Sequence, residues 1–167
     1  MDYFPSEHVQ KNQIDYKGLG EKSWVMKTGI LNDVLKRHHP SLKGSALDLG
    51  CGRGSVGSFL SSYYSHIHGM DIVDYRHEQY KHIVAFSPID LNFNKFPHQD
   101  NTFDLVTALQ VVEHLENPFL VLREVHRVLK PNGLFIMSIP NPYNLAFRLK
   151  FLFTGNMPPW TQSNAHL

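Results

Sequence analysis

The stretch Ala46-Leu-Asp-Leu-Gly-Cys-Gly-Arg-Gly54 decides the fold. It overlaps an apolar strand candidate, Ser45 to Leu49, and a helix candidate follows it. Apolar residues of that helix recur at helical spacing, at Val56, Phe59, Leu60 and Tyr63. Three glycines within five residues let the backbone turn sharply and approach a ligand closely. A strand, a glycine turn and a helix in this order are typical of open α/β sheets, which bind ligands at the carboxyl ends of their strands.

Further strands and helices alternate along the chain. The other predicted strands are Ile67 to Ile72, His82 to Phe86, Phe103 to Leu109 and Leu134 to Ile139. One helix is predicted to end before Pro40, and another to begin at Asn117-Pro118 with proline in its first turn. The apolar face predicted for this second helix consists of Phe119, Leu122, Val125, Val128 and Leu129. The alternation predicts a parallel α/β sheet with right-handed crossovers.

Length and composition limit what the chain can be. Its 167 residues, 42% of them hydrophobic, suit one domain with a substantial core. Sixteen basic and fifteen acidic residues nearly balance, which argues against a nucleic-acid binder that works through a broad basic surface. The one cysteine excludes a disulfide framework and a Cys-rich zinc module. Because the sequence has neither a signal-peptide pattern nor an apolar run of about 18 residues, we predict a cytoplasmic protein without a transmembrane segment.

The chain divides into three parts by composition. Residues 1–20 are polar and predict an N-terminal arm, and residues 21–141 carry the predicted ligand-binding domain. Residues 142–167 hold an apolar and basic stretch, Leu145 to Phe153, and a proline-rich end. We expect that stretch to pack on the sheet; the alternatives are a lid over the substrate and peripheral contact with an anionic membrane surface.

Spacing and charge around the glycines indicate which ligand the turn binds. In a dinucleotide-binding turn the third glycine follows the second by three residues, whereas Gly54 follows Gly52 by two. Asp48 lies two residues before the first glycine, where a carboxylate repels a phosphate but attracts a cation. Asp71, at the end of a predicted strand, can accept hydrogen bonds from both ribose hydroxyls, or alternatively caps the strand end. Together these residues predict a nucleoside that carries an amino acid; the alternative is a turn without a ligand.

Four motifs follow one another along the chain. They are Asp48-Leu-Gly-Cys-Gly-Arg-Gly54, Gly69-Met-Asp-Ile72, Phe103-Asp-Leu-Val106 and Val128-Leu-Lys-Pro-Asn-Gly-Leu-Phe135. In this order they resemble the motifs of class I S-adenosylmethionine-dependent methyltransferases, most of all the small-molecule branch with the ubiquinone-type O-methyltransferases. The resemblance runs from about Ser45 to Asn141. It implies a Rossmann-like three-layer sandwich with a mostly parallel twisted sheet, S-adenosylmethionine as cofactor, and methyl transfer as activity.

The resemblance also implies which residues bind the cofactor. Gly50, Gly52 and Gly54 wrap its methionine part, while Asp48 holds the loop and the amino end. The other implied positions are Asp71 for the ribose, Ile72, Asp90 and Leu91 for the adenine, and Leu109 and Gln110 for the ammonium group. Asp90 is alternatively a loop cap, and Cys51 is expected to be only a small residue in a tight turn.

The segment Gln110-Val-Val-Glu-His114 holds the candidate for catalysis. His114 is predicted as the general base for a protonated acceptor, because imidazole titrates near neutral pH, and Glu113 is expected to orient it or a partner. Some relatives bind a divalent metal through Glu-x-x-Glu-His and a later histidine. Here Gln110 replaces the first glutamate and His166 is the only histidine after His126, so no metal is predicted. A third interpretation is that Glu113 and His114 only help to pack the cofactor pocket.

The resemblance implies C-terminal antiparallel strands that this sequence has little room for. The 27 residues from Asn141 onward are too few to supply them, so we expect the strand Leu134 to Ile139 to have an open edge. An open apolar edge favours association, which predicts a homo-oligomer.

The sequence as a whole predicts a methyltransferase that acts on a small-molecule acceptor and produces S-adenosylhomocysteine. The alternative is a non-catalytic module that binds S-adenosylmethionine. An NAD-linked oxidoreductase is disfavoured by the glycine spacing and by Asp48. No motif identifies the acceptor or its reacting atom.

Overall fold

Five parallel strands form one sheet in the computed structural model, which describes residues 21–38, 44–139 and 145–155. The strands are β1 (Ser45–Leu49), β2 (His66–Asp71), β3 (Val84–Pro88), β4 (Phe103–Leu109) and β5 (Leu129–Ser138). Their order across the sheet is β3-β2-β1-β4-β5, and each neighbouring pair is parallel. The chain runs outward from β1 to β3 and then crosses to β4. The carboxyl ends of β1 and β4 therefore flank the switch point at which such sheets bind ligands.

Within the described ranges, four α-helices accompany the sheet. They are α1 (Glu21–His38), α2 (Ser55–Leu60), α3 (Pro118–Val128) and α4 (Leu145–Thr154). The start of α3 is as predicted, because Oδ1 of Asn117 accepts a hydrogen bond from the N–H of Leu120 and Pro118 opens the helix. Only a 3-10 turn, Glu78–Tyr80, stands between β2 and β3. Among the described helices, none is long and apolar enough to cross a membrane.

Alternate residues of the strands belong to two separate hydrophobic cores, as expected for a sheet covered on both faces. The first core joins the strands to α3 and contains Leu47, Leu49, Val106, Ala108, Val121, Val125 and Val128, among others. The second joins them to α1 and α2 and contains Ala46, Leu105, Leu31, Leu35 and Leu60, among others. The predicted α/β architecture is thereby confirmed.

The apolar face predicted for α3 is wrong in part. Phe119 is 70% exposed and Leu122 is 38% exposed, whereas Val121 and Glu124 are buried. The buried stripe runs through Val121, Glu124, Val125 and Val128. The sequence pattern concealed this stripe because a glutamate interrupts its apolar residues.

Hydrogen bonds explain how a glutamate can lie in that stripe. Oε2 of Glu124 accepts the N–H of Phe96 at 2.9 Å and pairs with Nη2 of Arg127 at 2.6 Å. Arg127 also donates to the carbonyls of Phe96 and His98 and pairs with Asp100. The guanidinium of Arg127 and the N–H of Phe96 hold the pKa of the Glu124 carboxyl below its usual value. This network ties the segment before β4 to α3.

The strand β5 begins at Leu129, five residues before the predicted start. Lys130 to Gly133, which separate the predicted helix from the predicted strand, lie within β5, and Asn132 has a positive φ of 64°. The pairing with β4 shifts register between Phe103 and Leu105, which accommodates that irregular segment. Within the described residues β5 pairs only with β4; the open edge, and association through it, stay predictions.

Two predicted regions fall partly or wholly outside what the structure describes. The predicted N-terminal arm, residues 1–20, and His166 lie outside the described residues. The stretch Leu145 to Phe153 forms most of α4, and its described side chains are exposed. The expectation that this stretch packs on the sheet is therefore wrong for those side chains.

Candidate functional site

The turn between β1 and α2 has the left-handed backbone that its glycines allow. The φ angles are 61° at Gly50, 48° at Gly52 and 82° at Gly54. A Cβ on Gly50 would come within 2.5 Å of Cγ2 of Val111, so packing also requires glycine there. A Cβ on Gly52 would meet nothing within 4 Å. The turn is therefore packed at its first glycine and open at its second, where a ligand can approach the backbone.

Cys51, between the first two glycines, is part of the packing. Its N–H donates a hydrogen bond to the carbonyl of Met70. Its side chain packs against Gly69, where an added Cβ would come within 2.8 Å of the sulfur. Burial, with Asp48 and Asp71 nearby, raises the pKa of the Cys51 thiol. A buried thiol of raised pKa is a poor nucleophile, which supports the structural interpretation of Cys51.

Asp71 ends β2 and joins that strand to the glycine turn. Its Oδ2 accepts a hydrogen bond from the N–H of Gly52 at 2.8 Å, and its Oδ1 accepts one from the N–H of Ile72 at 2.7 Å. Burial raises the pKa of the Asp71 carboxyl, and these two hydrogen bonds oppose the rise. Each carboxylate oxygen has a further lone pair for a hydroxyl donor. The structure thus brings Asp71, the residue predicted to bind the ribose, into contact with the turn predicted to bind the methionine part.

Asp48, in β1, is almost completely buried. Its Oδ1 accepts a hydrogen bond from Oγ1 of Thr107 at 2.7 Å, while its Oδ2 is buried and has no hydrogen-bond partner among the described residues. Burial raises the pKa of the Asp48 carboxyl to about 7, the hydrogen bond from Thr107 opposes the rise, and nearby Asp71 adds to it. A buried carboxylate oxygen without a partner is costly. A cationic group that reached Oδ2 would remove that cost.

The residues assigned to the adenine follow β2 and β3. Ile72 comes directly after β2. Asp90 caps the turn after β3, because its Oδ1 accepts a hydrogen bond from the N–H of Asn92 at 2.9 Å. Leu91 is buried and belongs to the first core. The loop-cap interpretation of Asp90 is therefore confirmed, and an additional contact with a ligand stays a prediction.

The end of β4 is joined to the end of β5 by an unusual residue. Gln110 follows Leu109 and has a positive φ of 60°, which residues other than glycine seldom adopt. Its N–H donates to the carbonyl of Ser138 at 2.9 Å. The next residue, Val111, is the one against which Gly50 packs. Backbone strain of this kind is concentrated at functional sites, and here it lies beside the glycine turn.

Buried polar atoms without a partner are found beyond β4. Glu113 lies in the 3-10 turn Val112–His114, and both of its Oε atoms are buried without a hydrogen-bond partner among the described residues. The Oγ of Ser138, at the end of β5, is likewise buried without a hydrogen-bond partner among the described residues. His114 is exposed, and its N–H donates to the carbonyl of Val111. Sequence reasoning treated Glu113 only as a helper of His114 and missed Ser138, since one serine at a strand end forms no pattern.

The described residues form clefts at opposite ends of the sheet. One of about 460 Å³ adjoins the glycine turn and is lined by Arg53, Tyr75, Arg76, His77 and Glu78. The larger, of about 530 Å³, lies at the amino ends of the strands; its lining includes Ser45, His66, His68, His98 and Phe103. The larger cleft contains none of the predicted site residues. In the part of the chain that the structure describes, no group of three or more His, Cys, Asp or Glu residues could hold a metal ion.

Comparison with known proteins agrees with this geometry. A family described as a methyltransferase domain matches residues 47–137, which include most of β1, the glycine turn, the strands β2 to β4 with Asp71, and most of β5. The chain belongs to the S-adenosylmethionine-dependent methyltransferase family. The resemblance inferred from the four motifs is therefore confirmed.

Two curated relatives illustrate how far the similarity extends. The methyltransferase chain is 30% identical over 129 residues to a probable S-adenosylmethionine-dependent methyltransferase of Mycolicibacterium smegmatis, with 74% of this chain and 48% of the relative covered. It is 29% identical over 161 residues to a ubiquinone biosynthesis O-methyltransferase of Maricaulis maris, with 84% of this chain and 60% of the relative covered. The chain thus spans about half to three-fifths of the length of these relatives.

A solved structure supports the fold. The PH0226 protein from Pyrococcus horikoshii OT3 has a TM-score of 0.66 and 30% sequence identity, with 79% of this methyltransferase chain and 65% of that protein covered.

S-adenosylmethionine is the cofactor of this family, and the described residues fit it. Oδ2 of Asp48 is a buried acceptor that an ammonium group can satisfy, and Asp71 has lone pairs for ribose hydroxyls. The open space beside Gly52 leaves room for a ligand against the backbone.

Proposed function

We propose that this protein transfers a methyl group from S-adenosylmethionine to a small-molecule acceptor and releases S-adenosylhomocysteine. The observation that carries the proposal is the buried Oδ2 of Asp48, which has no hydrogen-bond partner among the described residues and lies next to a left-handed glycine turn. A carboxylate in that position favours a cationic amino-acid tail and disfavours a diphosphate.

The cofactor roles of individual residues are part of this proposal. Asp48 accepts the ammonium group, Asp71 accepts the ribose hydroxyls while it holds the N–H of Gly52, and the backbone at Gly52 contacts the methionine part. Gly50 and Gly54 shape the turn. Ile72, Asp90 and Leu91 border the adenine, and Leu109 and Gln110 direct backbone groups toward the ammonium group from the end of β4.

The chemistry asks little of the protein beyond orientation. When bound, S-adenosylmethionine supplies a methyl group that its sulfonium already activates toward in-line displacement. The chain has to hold an acceptor in line at near-attack distance and remove its proton where the acceptor is protonated. We assign proton removal to His114, which is exposed just past β4. Glu113 and Ser138 have buried polar atoms that an acceptor's polar groups can satisfy.

Calorimetric titration tests the cofactor roles. Asp71→Ala should weaken S-adenosylmethionine binding about 30-fold, since hydrogen bonds to a charged acceptor contribute about 2 kcal/mol. The matched control is Asp33→Ala, an exposed aspartate on α1 that should leave binding unchanged. Binding of NAD without binding of S-adenosylmethionine would contradict the proposal.

Formation of S-adenosylhomocysteine with a panel of hydroxyl, amine and carbon acceptors tests the activity. His114→Ala should slow turnover of a hydroxyl acceptor roughly 100-fold and leave cofactor affinity unchanged. His126→Ala, an exposed histidine on α3, is the control and should be neutral.

The two failures of that experiment have different meanings. Unchanged turnover in His114→Ala would remove His114 as the base. Tight cofactor binding without turnover of any acceptor would favour the alternative, a non-catalytic S-adenosylmethionine-binding module.

A further inference from the structure

Glu113, in the 3-10 turn after β4, is a carboxylate that the described part of the chain leaves unpaired. Both of its Oε atoms are buried without a hydrogen-bond partner, and no ion pair among the described residues includes it. The fold does pair the buried carboxylate of Glu124, which holds Arg127 and the N–H of Phe96. Burying an ionised carboxylate without partners is costly. A ligand that donates hydrogen bonds to Glu113 would offset that cost.

Ser138 adds a second unpaired oxygen beside the end of β4. Its Oγ is buried without a hydrogen-bond partner among the described residues. Ser138 pairs with Leu109 across the two strands, and its carbonyl accepts the N–H of Gln110 at 2.9 Å. Glu113 follows shortly after Gln110, in the 3-10 turn Val112–His114. Glu113 and Ser138 therefore both lie where β4 and β5 end, at the edge of the sheet that carries the glycine turn.

The strand register separates Ser138 from Asp48. Asp48 pairs with Thr107, and Thr107 pairs with Ile136. Ser138 comes two residues after Ile136, so its side chain is on the same face of the sheet as that of Asp48. With strands about 4.8 Å apart and a rise of about 3.3 Å per residue, the Cα atoms of Asp48 and Ser138 are roughly 12 Å apart. One ammonium group cannot reach both side chains, so a cation at Asp48 leaves Ser138 to a second ligand.

The chemistry of an unpaired carboxylate selects the kind of ligand. Ionised Glu113 accepts hydrogen bonds and donates none. An ammonium group supplies donors together with a positive charge, and such charge-assisted hydrogen bonds are about twice as strong as neutral ones. A hydroxyl supplies a donor without the charge, and a carboxylate or phosphate would be repelled. The hydroxyl of Ser138 both donates and accepts, so it suits a neutral polar atom of the same ligand.

We propose that the methyl acceptor is an amine-bearing small molecule whose cationic nitrogen binds Glu113 and whose second polar atom contacts Ser138. This inference rests on the proposed function, because it concerns the acceptor of that reaction. It makes Glu113 a specificity-determining residue and not only a residue that orients His114. A divalent metal ion would be the competing occupant, but the described residues include no group of three or more His, Cys, Asp or Glu that could hold one.

Calorimetry on the full chain saturated with S-adenosylhomocysteine tests the proposal. Two sets of probes share a hydroxyl and a skeleton and differ in one end group. The aromatic set is tyramine, para-ethylphenol and para-hydroxyphenylpropionate, and the aliphatic set is aminopentanol, hexanol and hydroxyhexanoate. In at least one set the amine should bind at least tenfold more tightly than the neutral and the acidic member. Because the skeleton is constant within a set, the end group is the cause of the difference.

Two variants separate the roles of the two side chains. Glu113→Gln keeps the size of the side chain and removes its charge, so it should weaken amine binding at least tenfold and abolish the preference for the amine. Ser138→Ala should weaken binding of the amine and of the neutral probe equally, about fivefold for the loss of one hydrogen bond, and keep the preference. The affinity for S-adenosylhomocysteine should be unchanged in both variants.

A nearby carboxylate supplies the matched control. Glu116 is exposed and follows the same 3-10 turn, so Glu116→Gln should leave the preference for the amine unchanged. Urea denaturation of the unliganded chain distinguishes ligand binding from a structural role. Since Glu113→Gln removes an unpaired buried charge, its urea midpoint should equal or exceed that of the wild type, whereas loss of a structural carboxylate would lower the midpoint.

The possible failures have different meanings. Absence of S-adenosylhomocysteine binding would contradict the proposed function and this inference with it. Bound S-adenosylhomocysteine with no preference for the amine in either set, or with no probe bound, would overturn this inference alone. The same holds for an equal loss of preference in Glu116→Gln, for amine binding that requires added Mg²⁺, and for a lowered urea midpoint in Glu113→Gln.

Discussion

Two buried carboxylates of this chain differ in how they are satisfied. Glu124, on α3, pairs with Arg127 and accepts the N–H of Phe96, and its pKa is lowered by these groups. Asp48, in β1, has one oxygen bonded to Thr107 and the other without a partner among the described residues, and burial raises its pKa to about 7. The first carboxylate is satisfied within the fold, and the second has one oxygen that no described residue satisfies.

This difference separates stability from function. A charge that the protein pairs internally contributes to folding, while a buried acceptor that it leaves unpaired costs folding free energy and is available to a ligand. The comparison predicts that changes at Glu124 affect unfolding and changes at Asp48 affect binding. Each of the following experiments can break or sharpen that distinction.

The largest expected effect on stability is at Glu124. Glu124→Ala removes the partner of Arg127 and leaves the N–H of Phe96 without its acceptor, so the free energy of unfolding should fall by about 3 kcal/mol. Urea denaturation measures this change. Where the variant is folded, its S-adenosylmethionine affinity should equal that of the wild type; a weaker affinity would show that the network also supports the site.

The glycine turn should show both kinds of effect in neighbouring positions. Gly50→Ala forces a Cβ against Val111 and should destabilise the fold by about 2 kcal/mol. Gly52→Ala meets no atom and should cost about 1 kcal/mol for its left-handed backbone, yet it should weaken S-adenosylmethionine binding at least tenfold because the Cβ enters the open space beside the turn. Denaturation and calorimetry of both variants measure the two effects; unchanged binding in Gly52→Ala would place the ligand elsewhere.

Asp48 should make cofactor binding depend on pH. Since its pKa in the folded chain is about 7, the ionised form that attracts an ammonium group increases from pH 5.5 to pH 8, and affinity should rise by at most about tenfold per unit below pH 7. Asp48→Asn should bind about tenfold more weakly at pH 8 and should lose most of this dependence.

Asp48 should also make the stability of the unliganded chain depend on pH. Between pH 3.8 and about 7 the folded state retains a proton on Asp48 that the unfolded state has released. The contribution of Asp48 to stability therefore falls as pH rises through that window. If thermal unfolding of Asp48→Asn showed the same pH profile as the wild type, the raised pKa would be contradicted.

The smallest expected effect is at the other end of the sheet. His68 bonds to Ser87 and stacks edge to face on His98 at 4.4 Å, and burial, with His98 and Arg76 nearby, lowers the pKa of His68 to about 4. The unfolded chain takes up a proton first, so stability should fall as pH decreases from 6.5 to 4, by about 1 kcal/mol after allowance for partial exposure. His68→Gln should reduce this loss in thermal unfolding measured across that range.

Much of the fold could be predicted because its signals are local. The apolar runs at β1 and β4 predicted the bounds that these strands have in the structure, and Asn117-Pro118 predicted where α3 starts. Two of the errors, in the buried face of α3 and in the start of β5, have a tertiary cause. Glu124 interrupts the buried stripe of α3 as an apparently polar residue, and the turn-forming sequence Lys130 to Gly133 is held in β5 by pairing with β4.

The site was predictable only where backbone conformation demanded a residue type. Glycines at positive φ and an aspartate at a strand end are visible in sequence, and the structure brings them together through the bond from Gly52 to Asp71. The strained Gln110 and the buried oxygen atoms of Glu113 and Ser138 are not visible, because burial and missing partners depend on how distant segments pack.

The central claim is that Asp48 and the glycine turn receive a cationic amino-acid tail. Calorimetry at pH 8 with S-adenosylhomocysteine and with 5′-methylthioadenosine, which lacks the amino-acid part, tests it most directly. We predict that the wild type binds S-adenosylhomocysteine at least tenfold more tightly and that Asp48→Asn loses most of this preference. Equal affinity of the wild type for the two ligands would contradict the account.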